Sequence, residues 1–283
     1  MDAGDTVWWD LGGTWNPVGG CKPVSTECAN CYAAIQAGTL HQSAGAKREV
    51  RLLYDGVVDK HGERYWFNGK PTELPRGHSS WNFPLDWPGA DHPLLGDAQP
   101  SLIFACDMTD LFYHERRLID RVVGILGLSR HIGQLLTKRA DVMAEYFTAP
   151  RPPSRLRHLQ TKLWLGFSAG DQRWFDVRWS HMRALAEADW TVFVSIAPML
   201  GPVTLPADFL ALGERGWVVN SGEQGPHKFC RDMNPAWARA LRDQCAAAGV
   251  PFFMKQMAPR EANPIPPDLM TSRCRQFPAV RLS

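Results

Sequence analysis

The chain has 283 residues, and its 31 Lys and Arg against 29 Asp and Glu give a formal net charge of +2. With 45% hydrophobic and 21% charged residues, the composition excludes a disordered chain and predicts a globular protein with a sizeable core. No apolar run approaches the roughly 18 residues of a membrane span, and the N-terminus lacks the basic and apolar regions of a secretion signal. We therefore expect a single domain over residues 1–283, a cytoplasmic location and no membrane partner.

The first part of the chain, residues 1–100, is irregular and rich in Cys, Gly, Pro and Trp. Turn-forming residues are too frequent there for long helices or strands. We expect one or two short strands in this part, at residues 6–9 or 50–54.

Residues 101–257 show a regular alternation of short apolar runs and amphipathic segments of helical length. The runs predict six strands, at 102–106, 132–137, 163–167, 192–196, 217–220 and 251–255. The last helix is the best defined, with Asn234 as N-cap, Pro235 at the first helical position and Gly249 at the C-cap. Residues 149–155 are predicted to be extended because of their prolines, and residues 258–283 form a Pro-rich tail.

This alternation predicts an α/β fold with a parallel sheet covered by helices. We predict a complete or partial (β/α) barrel of mainly parallel strands, preceded by the irregular N-terminal region. An open, doubly wound sheet is the alternative.

Polar residues follow the predicted strands, and functional sites of parallel α/β folds form at those strand ends. They are Asp107, Asp110, Thr137, Lys138, Arg139, Ser168, Asp171, Gln172, Ser195, Ser221, Glu223, Gln224, Lys255 and Gln256. Glu223 is the strongest single candidate, because its neighbouring glycines allow the backbone to approach a ligand closely. The loop around it matches neither a P-loop nor a dinucleotide-binding fingerprint.

Three of the seven cysteines, Cys21, Cys28 and Cys31, form a C-x6-C-x2-C motif. An odd cysteine count without a secretion signal argues against a disulfide framework and favours metal binding. Zinc would need a fourth ligand, and the nearest histidine, His41, is poorly spaced for that role. A three-cysteine iron–sulfur cluster would keep one iron open for a ligand, so both metals remain candidates.

The other four cysteines are scattered along the chain. Cys106 and Cys230 lie close to strand-end loops. For these two, the sequence leaves both a core position and a position at the functional site open. Cys245 falls on an apolar helix face and Cys274 in the tail, so neither needs a function.

The chain resembles a family of phage and bacterial proteins of unknown function with a three-cysteine motif, which is similar to radical S-adenosylmethionine proteins. The matching segments are TWNPVGGC (14–21), CANCYA (28–33), MTDLF (108–112), LTKR (136–139), WLGFS (164–168), FVS (193–195), PMLGPV (198–203), WVVNSGEQGP (217–226) and RDQCAAAGVPFFMKQ (242–256). Two positions depart from the family pattern, since Gly170 and Ala197 stand where acidic residues are usual. The first cysteine interval is also six residues, whereas the usual radical motif has three.

The resemblance implies a barrel-like fold and a cysteine-bound metal centre. Our hypothesis is that Cys21, Cys28 and Cys31 hold a 4Fe-4S cluster whose fourth iron binds S-adenosylmethionine. The expected cofactor-binding residues are Lys138, Arg139 and Glu223, and the expected substrate-facing residues are Asp110, Ser195, Lys255 and Gln256. Such an enzyme would act on a small-molecule or nucleotide-type substrate and would need an electron donor.

Two other functions are open. A zinc-stabilised nucleic-acid-binding protein is suggested by 12 tryptophans and by residues 138–162, which carry six Lys or Arg against two acids. The net charge of +2 argues against it. The third alternative is an interaction protein with a vestigial site, which the missing acids at Gly170 and Ala197 favour.

Overall fold

The computed structural model describes residues 12–40, 45, 47–89, 100–259 and 263–281. Short elements make up its N-terminal part: β1 (Gly12–Trp15), β2 (Val18–Gly19), α1 (Tyr32–Leu40), α2 (Arg48–Tyr54), β3 (Val58–His61), β4 (Arg64–Phe67), β5 (Thr72–Glu73) and α3 (Phe83–Asp86). The strands β3 and β4 form an antiparallel hairpin, and β2 pairs with β5.

From residue 100 onward, strands and helices alternate as predicted. The elements are β6 (Leu102–Ala105), α4 (Arg116–Leu128), β7 (Ile132–Thr137), α5 (Ala140–Thr148), α6 (Pro153–Lys162), β8 (Leu163–Ser168), α7 (Gln172–Glu187), β9 (Thr191–Ile196), α8 (Ala207–Leu210), β10 (Gly216–Ser221), α9 (Pro235–Ala248) and β11 (Phe252–Gln256). All six predicted strands are confirmed, with ends that differ by at most one residue. Within the described ranges, no helix is long and apolar enough to cross a membrane.

One seven-stranded parallel sheet organises the fold, in the order β1-β6-β7-β8-β9-β10-β11. Each strand from β6 to β11 lies beside the next one in the chain, so the order never reverses. A doubly wound sheet needs such a reversal, whereas a sequential order with right-handed crossovers places the helices on one face. The sheet is therefore a partial barrel, which confirms the predicted fold class and excludes the doubly wound alternative.

The seventh strand, β1, comes from the N-terminal region but not from either predicted position. Residues 6–9 lie outside the described residues, and residues 50–54 belong to α2, so the strand predicted there is wrong. Leu53 and Tyr54 are buried while Arg51 and Leu52 are exposed, which is a helical pattern of burial. The two glycines of β1 hide its strand character, and its pairing with β6 determines its conformation.

The segment 149–155 is extended only in its first half. Helix α5 ends at Thr148, and α6 begins at Pro153. The prediction is right for 149–152 and wrong for 153–155, because a proline at the first helical position favours a helix start.

The face of the sheet turned away from the helices is closed by aromatic residues. The buried residues of this cluster are Leu102, Phe104, Ile132, Trp164, Phe193, Trp217, Val219 and Phe253. Phe277 and Val280 of the C-terminal segment pack against it, and Trp217 Nε1 donates to the Gln276 carbonyl at 2.9 Å. The tail therefore covers the inner face of the partial barrel.

Helix α9 has the predicted caps. The side chain of Asn234 accepts a hydrogen bond from the Ala236 backbone N–H, and Gly249 is left-handed with φ 68°. Nothing lies within 4 Å of a Cβ built on Gly249, so the backbone conformation alone requires glycine there.

Replacing Gly249 by Ala should lower the free energy of unfolding by about 1 kcal/mol, because an L-residue is strained in the left-handed region. A matched control is Gly124→Ala inside α4, where a Cβ also meets nothing within 4 Å. That change should raise stability by up to about 1 kcal/mol. Urea unfolding measures both variants, and effects of the same sign would contradict this account of the cap.

Candidate functional site

The three motif cysteines line one cavity at the C-terminal ends of β6, β7 and β8. We call it the thiol cavity; its volume is about 100 Å³. Besides Cys21, Cys28 and Cys31, the polar residues along its wall are Lys22, Tyr32, Cys106, Asp107, Thr109, Asp110, Thr137, Lys138, Arg139 and Ser168. The strand-end location agrees with the expectation for parallel α/β folds.

The loop that carries the cysteines is fixed by hydrogen bonds at both ends. Gly69 donates its backbone N–H to the Cys21 carbonyl at 3.1 Å, and the Thr109 hydroxyl donates to the Gly20 carbonyl. Cys31 immediately precedes α1, and the hydroxyl of the next residue, Tyr32, donates to the Asp107 carbonyl at 2.5 Å. The loop is therefore held against the end of β6.

Asp110, predicted to face substrate, is a structural anchor of this site. Its Oδ1 accepts hydrogen bonds from the Phe112 N–H at 3.1 Å and the Thr137 hydroxyl at 2.7 Å. Its Oδ2 accepts from the Lys138 N–H at 2.9 Å and from Arg139 Nη1 at 3.0 Å. Both oxygens are engaged, so the carboxylate positions the two cationic residues that follow β7.

Arg139 ties the cysteine loop to β7. Besides its ion pair with Asp110, its Nη2 donates to the Lys22 carbonyl at 2.7 Å, and its Nη1 lies 3.9 Å from Cys21 Sγ. Its guanidinium also lies 4.8 Å from the ring centroid of Tyr113. Most of its donors are therefore used within the protein.

A buried ion pair anchors the middle of the loop. Glu27 Oε1 lies 2.5 Å from Arg178 Nη1, and the two side chains are 0% and 3% exposed. Arg178 also donates to the carbonyls of Ser168 at 2.8 Å and Lys138 at 3.1 Å. One guanidinium on α7 thus connects the ends of β7 and β8 to the cysteine loop.

The position of the Glu27 carboxylate also explains why a glycine stands at position 170. The Gly170 N–H donates to Glu27 Oε1 at 3.1 Å, and a Cβ on Gly170 would lie 2.6 Å from Glu27 Cγ. A side chain at 170 therefore collides with Glu27, and the acidic residue that the resemblance places at 170 does not fit beside it. Nothing in the structure explains why alanine stands at position 197.

Among the described residues, Lys138 and Lys22 are the cations of the thiol cavity that form no ion pair, and Lys22 is exposed. The Lys138 side chain is partly buried, and no acceptor among the described residues hydrogen-bonds to its Nζ. Burial alone would lower the pKa of Lys138, but Cys28, Cys31 and Glu27 outweigh it and raise that pKa. The ammonium group therefore stays charged beside the thiols.

Two of the motif thiols, those of Cys21 and Cys31, stand in a setting that raises their pKa. Burial, assisted by Asp110, raises the pKa of Cys21 to about 11, and burial raises that of Cys31. Within the part of the chain that the structure describes, no three His, Cys, Asp or Glu side chains are arranged to hold a metal ion. The motif cysteines share a cavity without forming a metal site as their side chains are placed.

Glu223 is also paired inside the protein. Its oxygens accept from Arg231 Nη2 at 2.5 Å and Nε at 2.9 Å, and from the Arg231 N–H at 2.8 Å. Asn30, which lies between two of the cysteines, donates to Glu223 Oε2 at 3.1 Å. Glu223 therefore supports the cysteine loop from the end of β10, and it does not line the thiol cavity.

The remaining predicted residues lie outside the walls of that cavity. Ser195 is buried in β9, Lys255 Nζ donates to Gln224 Oε1 at 3.3 Å, and Gln256 is buried. Burial raises the pKa of Asp107, and the nearby Lys255 is among the groups that offset this in part. The structure thus brings together the cysteines, Lys138, Arg139 and Asp110, and leaves Ser195, Lys255, Gln256 and Glu223 at the periphery.

The structure locates the two cysteines, Cys106 and Cys230, that the sequence left as core or site residues. Cys106 is buried, has φ 62° and lines the thiol cavity. Cys230 is partly buried, with its thiol 3.3 Å from the Gly225 carbonyl and outside that cavity. Cys245 and Cys274 are buried in the core.

Sequence reasoning missed three residues of this framework: Glu27, Asn30 and Arg178. Glu27 and Asn30 lie inside the cysteine motif, so their place in the sequence was a usable signal. Arg178 falls in the middle of a helix and offered none.

A comparison with known protein families shows which family the chain belongs to. Its sequence matches a family described as "Protein of unknown function (DUF5131)" over residues 6–267. The chain belongs to the DUF5131 family. No curated protein and no solved structure matches it. The family match supplies no link to radical S-adenosylmethionine proteins or to a three-cysteine motif, so that part of the resemblance stays a prediction.

The Glu27 contact predicts a coupled effect on stability. Gly170→Ala should destabilise the chain by about 2 kcal/mol, since the added methyl overpacks a buried site. In a background where Glu27→Ala and Arg178→Met remove both charges, the same change should cost less than about 1 kcal/mol. Urea unfolding of all four forms measures the coupling, and equal costs in the two backgrounds would contradict the proposed collision.

His114 predicts a pH effect. Its Nε2 lies 3.2 Å from the Thr109 hydroxyl, and burial lowers its pKa from 6.5 to about 4. Between these values the unfolded chain binds a proton that the folded chain does not bind. Stability should therefore fall by up to about 3 kcal/mol as the pH falls through this window.

The test compares urea unfolding of the wild type and of His114→Gln at about pH 7 and about pH 4.5. The variant should not show the loss of stability that protonation of His114 causes in the wild type between these two pH values. The same pH dependence in both proteins would show that His114 does not cause it.

Proposed function

We propose that the chain is an iron–sulfur protein of the radical S-adenosylmethionine type. Cys21, Cys28 and Cys31 would hold a 4Fe-4S cluster, and its fourth iron would be open to the cofactor. The observation that carries the proposal is that these three cysteines line one cavity with Lys138, whose ammonium forms no ion pair with an acid among the described residues. A cationic cavity with three thiols suits an anionic cluster and a cofactor with a carboxylate.

The cysteine motif favours a cluster, because three motif thiolates with an open position match a cluster with one free iron. Zinc sites in proteins have four ligands, or three and a water, drawn mainly from cysteine and histidine. The described residues that line the thiol cavity include no histidine but do include a fourth cysteine, Cys106, outside the motif, so a four-cysteine zinc site is the competing arrangement. The thiols are not placed as a metal site, and a cavity of about 100 Å³ is smaller than the roughly 300–1,000 Å³ of ligand pockets, so binding of a cluster and its cofactor requires the cysteine loop to move.

The contacts narrow the roles of the predicted cofactor-binding residues. Arg139 is engaged by Asp110 and the loop, and Glu223 by Arg231. Lys138 is the remaining candidate to pair with the carboxylate of the methionine part of the cofactor. Asp107 and Ser168, which line the same cavity, offer acceptors for its amine and ribose.

When bound at Cys21, Cys28 and Cys31, a cluster of this kind would supply reducing electrons, and the radical chemistry would belong to the cofactor. The task of this chain is to bind and orient. Asp110 and Arg178 fix the backbone of the cavity wall, and the Lys138 ammonium would hold negative charge.

The zinc-stabilised nucleic-acid-binding alternative loses part of its support. Its basic stretch includes Lys138 and Arg139, which turn into the thiol cavity. Arg151 donates to the carbonyls of Tyr146 and Phe147. The stretch 138–162 therefore does not present all its cations on one exposed surface.

Anaerobic reconstitution with iron and sulfide should give about four irons per chain and a broad visible absorption. Replacing Cys21, Cys28 or Cys31 by Ser should remove most of both, because each thiolate holds one iron. Cys230→Ser is the matched control, since it removes a thiol outside the cavity. Stoichiometric zinc without this absorption, or equal iron in Cys28→Ser and wild type, would contradict the proposal.

Lys138→Met tests the cofactor role separately from the cluster. It should weaken binding of S-adenosylmethionine by about tenfold or more, through loss of one charged contact. The iron content should remain unchanged. The control Lys47→Met removes an exposed ammonium that is not part of the cavity lining. Equilibrium dialysis with the reconstituted protein measures both, and unchanged affinity in Lys138→Met would rule out this role.

A further inference from the structure

A second concave site lies between α1, the β3–β4 hairpin and the turn at 226–229. We call it the hairpin cleft; its volume is about 330 Å³, within the range of ligand pockets. It adjoins the thiol cavity through one segment of the chain. Cys28 and Cys31 line the cavity, whereas Ala29 and Asn30 between them line the cleft.

The hairpin cleft carries an excess of positive charge. Its charged residues are Lys60, Arg64 and Lys228 against one acid, Glu63. Lys228 forms an ion pair with Glu63. Lys60 and Arg64 form no ion pair among the described residues, although Lys60 lies near enough to Glu63 to contribute to its lowered pKa. The cleft therefore offers two cations to an anionic ligand.

The cations gather around two aromatic rings. Arg64 lies 4.5 Å and Lys228 5.1 Å from the ring centroid of Phe229, and Lys60 lies 5.4 Å from that of Tyr65. Both rings are partly exposed. Aromatic and guanidinium faces beside cations are the arrangement on which nucleobases stack while their phosphates are bound.

Asn30 adds an acceptor at the bottom of the cleft. Its Nδ2 donates to Glu223 Oε2 at 3.1 Å and to the Phe229 carbonyl at 2.7 Å. Because both partners are acceptors, the orientation of the amide is fixed. Within the described ranges nothing donates to Asn30 Oδ1, which is therefore available to an N–H group of a ligand.

We propose that the hairpin cleft binds a nucleotide unit, with the phosphate at Lys60 and Arg64 and the base against Phe229 and Tyr65. The same chemistry is offered by a free nucleotide and by single-stranded nucleic acid. An acidic peptide would use the cations but not the aromatic faces. The assignment does not depend on the metal at the thiol cavity, and it locates a substrate-binding surface beside that cavity.

The test measures binding of a fluorescein-labelled oligothymidylate of about 12 nucleotides by anisotropy, at about 50 mM salt. The double variant Lys60→Ala, Arg64→Ala should bind at least about tenfold more weakly than wild type. The matched control Arg155→Ala, Arg157→Ala removes two exposed cations from α6 and should change affinity by less than about twofold. Phe229→Leu keeps the charge and should weaken binding several-fold through lost stacking.

Competitors distinguish the source of the ligand. Thymidine monophosphate and the unlabelled oligothymidylate are compared as competitors at the same concentration of nucleotide units. If both displace the probe equally well, the ligand is a free nucleotide. If the monophosphate displaces it much more weakly, the ligand is single-stranded nucleic acid. No binding at low salt, equal loss in the two double variants, or equal affinity for an oligoglutamate of the same charge would overturn the proposal. Circular dichroism of each variant shows that the fold is kept.

Discussion

The buried ion pair between Glu27 and Arg178 determines where the cysteine loop lies. Both side chains are nearly inaccessible, so either charge left alone would be strongly unfavourable, whereas together they are compatible with burial. Burial raises the pKa of Glu27, yet Arg178, Ser25 and Lys138 outweigh it and keep that pKa below its usual range. The pair holds the loop against β7 and β8, and it leaves no room for a side chain at Gly170. The pair itself does not line the thiol cavity, but Arg178 holds the backbone of Lys138 and Ser168, which do line it.

Two other carboxylates repeat the same arrangement around the site. Asp110 binds the backbone after β7 together with Arg139, and Glu223 binds Arg231 and Asn30. Acids at strand ends thus serve here to connect the irregular N-terminal part to the sheet. The groups left to contact a ligand are the thiols, Lys138, Asp107 and Ser168. A cavity in which Arg139 neutralises Asp110 and the Lys138 ammonium remains is a suitable setting for an anionic iron–sulfur cluster, which is the basis of our proposal.

The regular part of the fold could be predicted from the sequence because its strands are continuous apolar runs that alternate with amphipathic helices. The sheet order of a partial barrel followed from that alternation. The N-terminal part could not be read this way, since β1 is held by pairing with β6 and not by its own Gly-rich sequence. The three motif cysteines line one cavity, and their role as metal ligands stays a prediction. Which strand-end residues reach that cavity depended on partners distant in sequence, such as Arg178 and Arg231, and no local pattern reports such partners.

The most direct test of the central claim is electron paramagnetic resonance of the anaerobically reconstituted and reduced protein, with and without S-adenosylmethionine. The account predicts the signal of a reduced 4Fe-4S cluster and a change in that signal when the cofactor binds at the open iron. A protein that contains zinc and gives no cluster signal would contradict the account. So would a cluster signal that the cofactor leaves unchanged, because the fourth iron would then not be open to it.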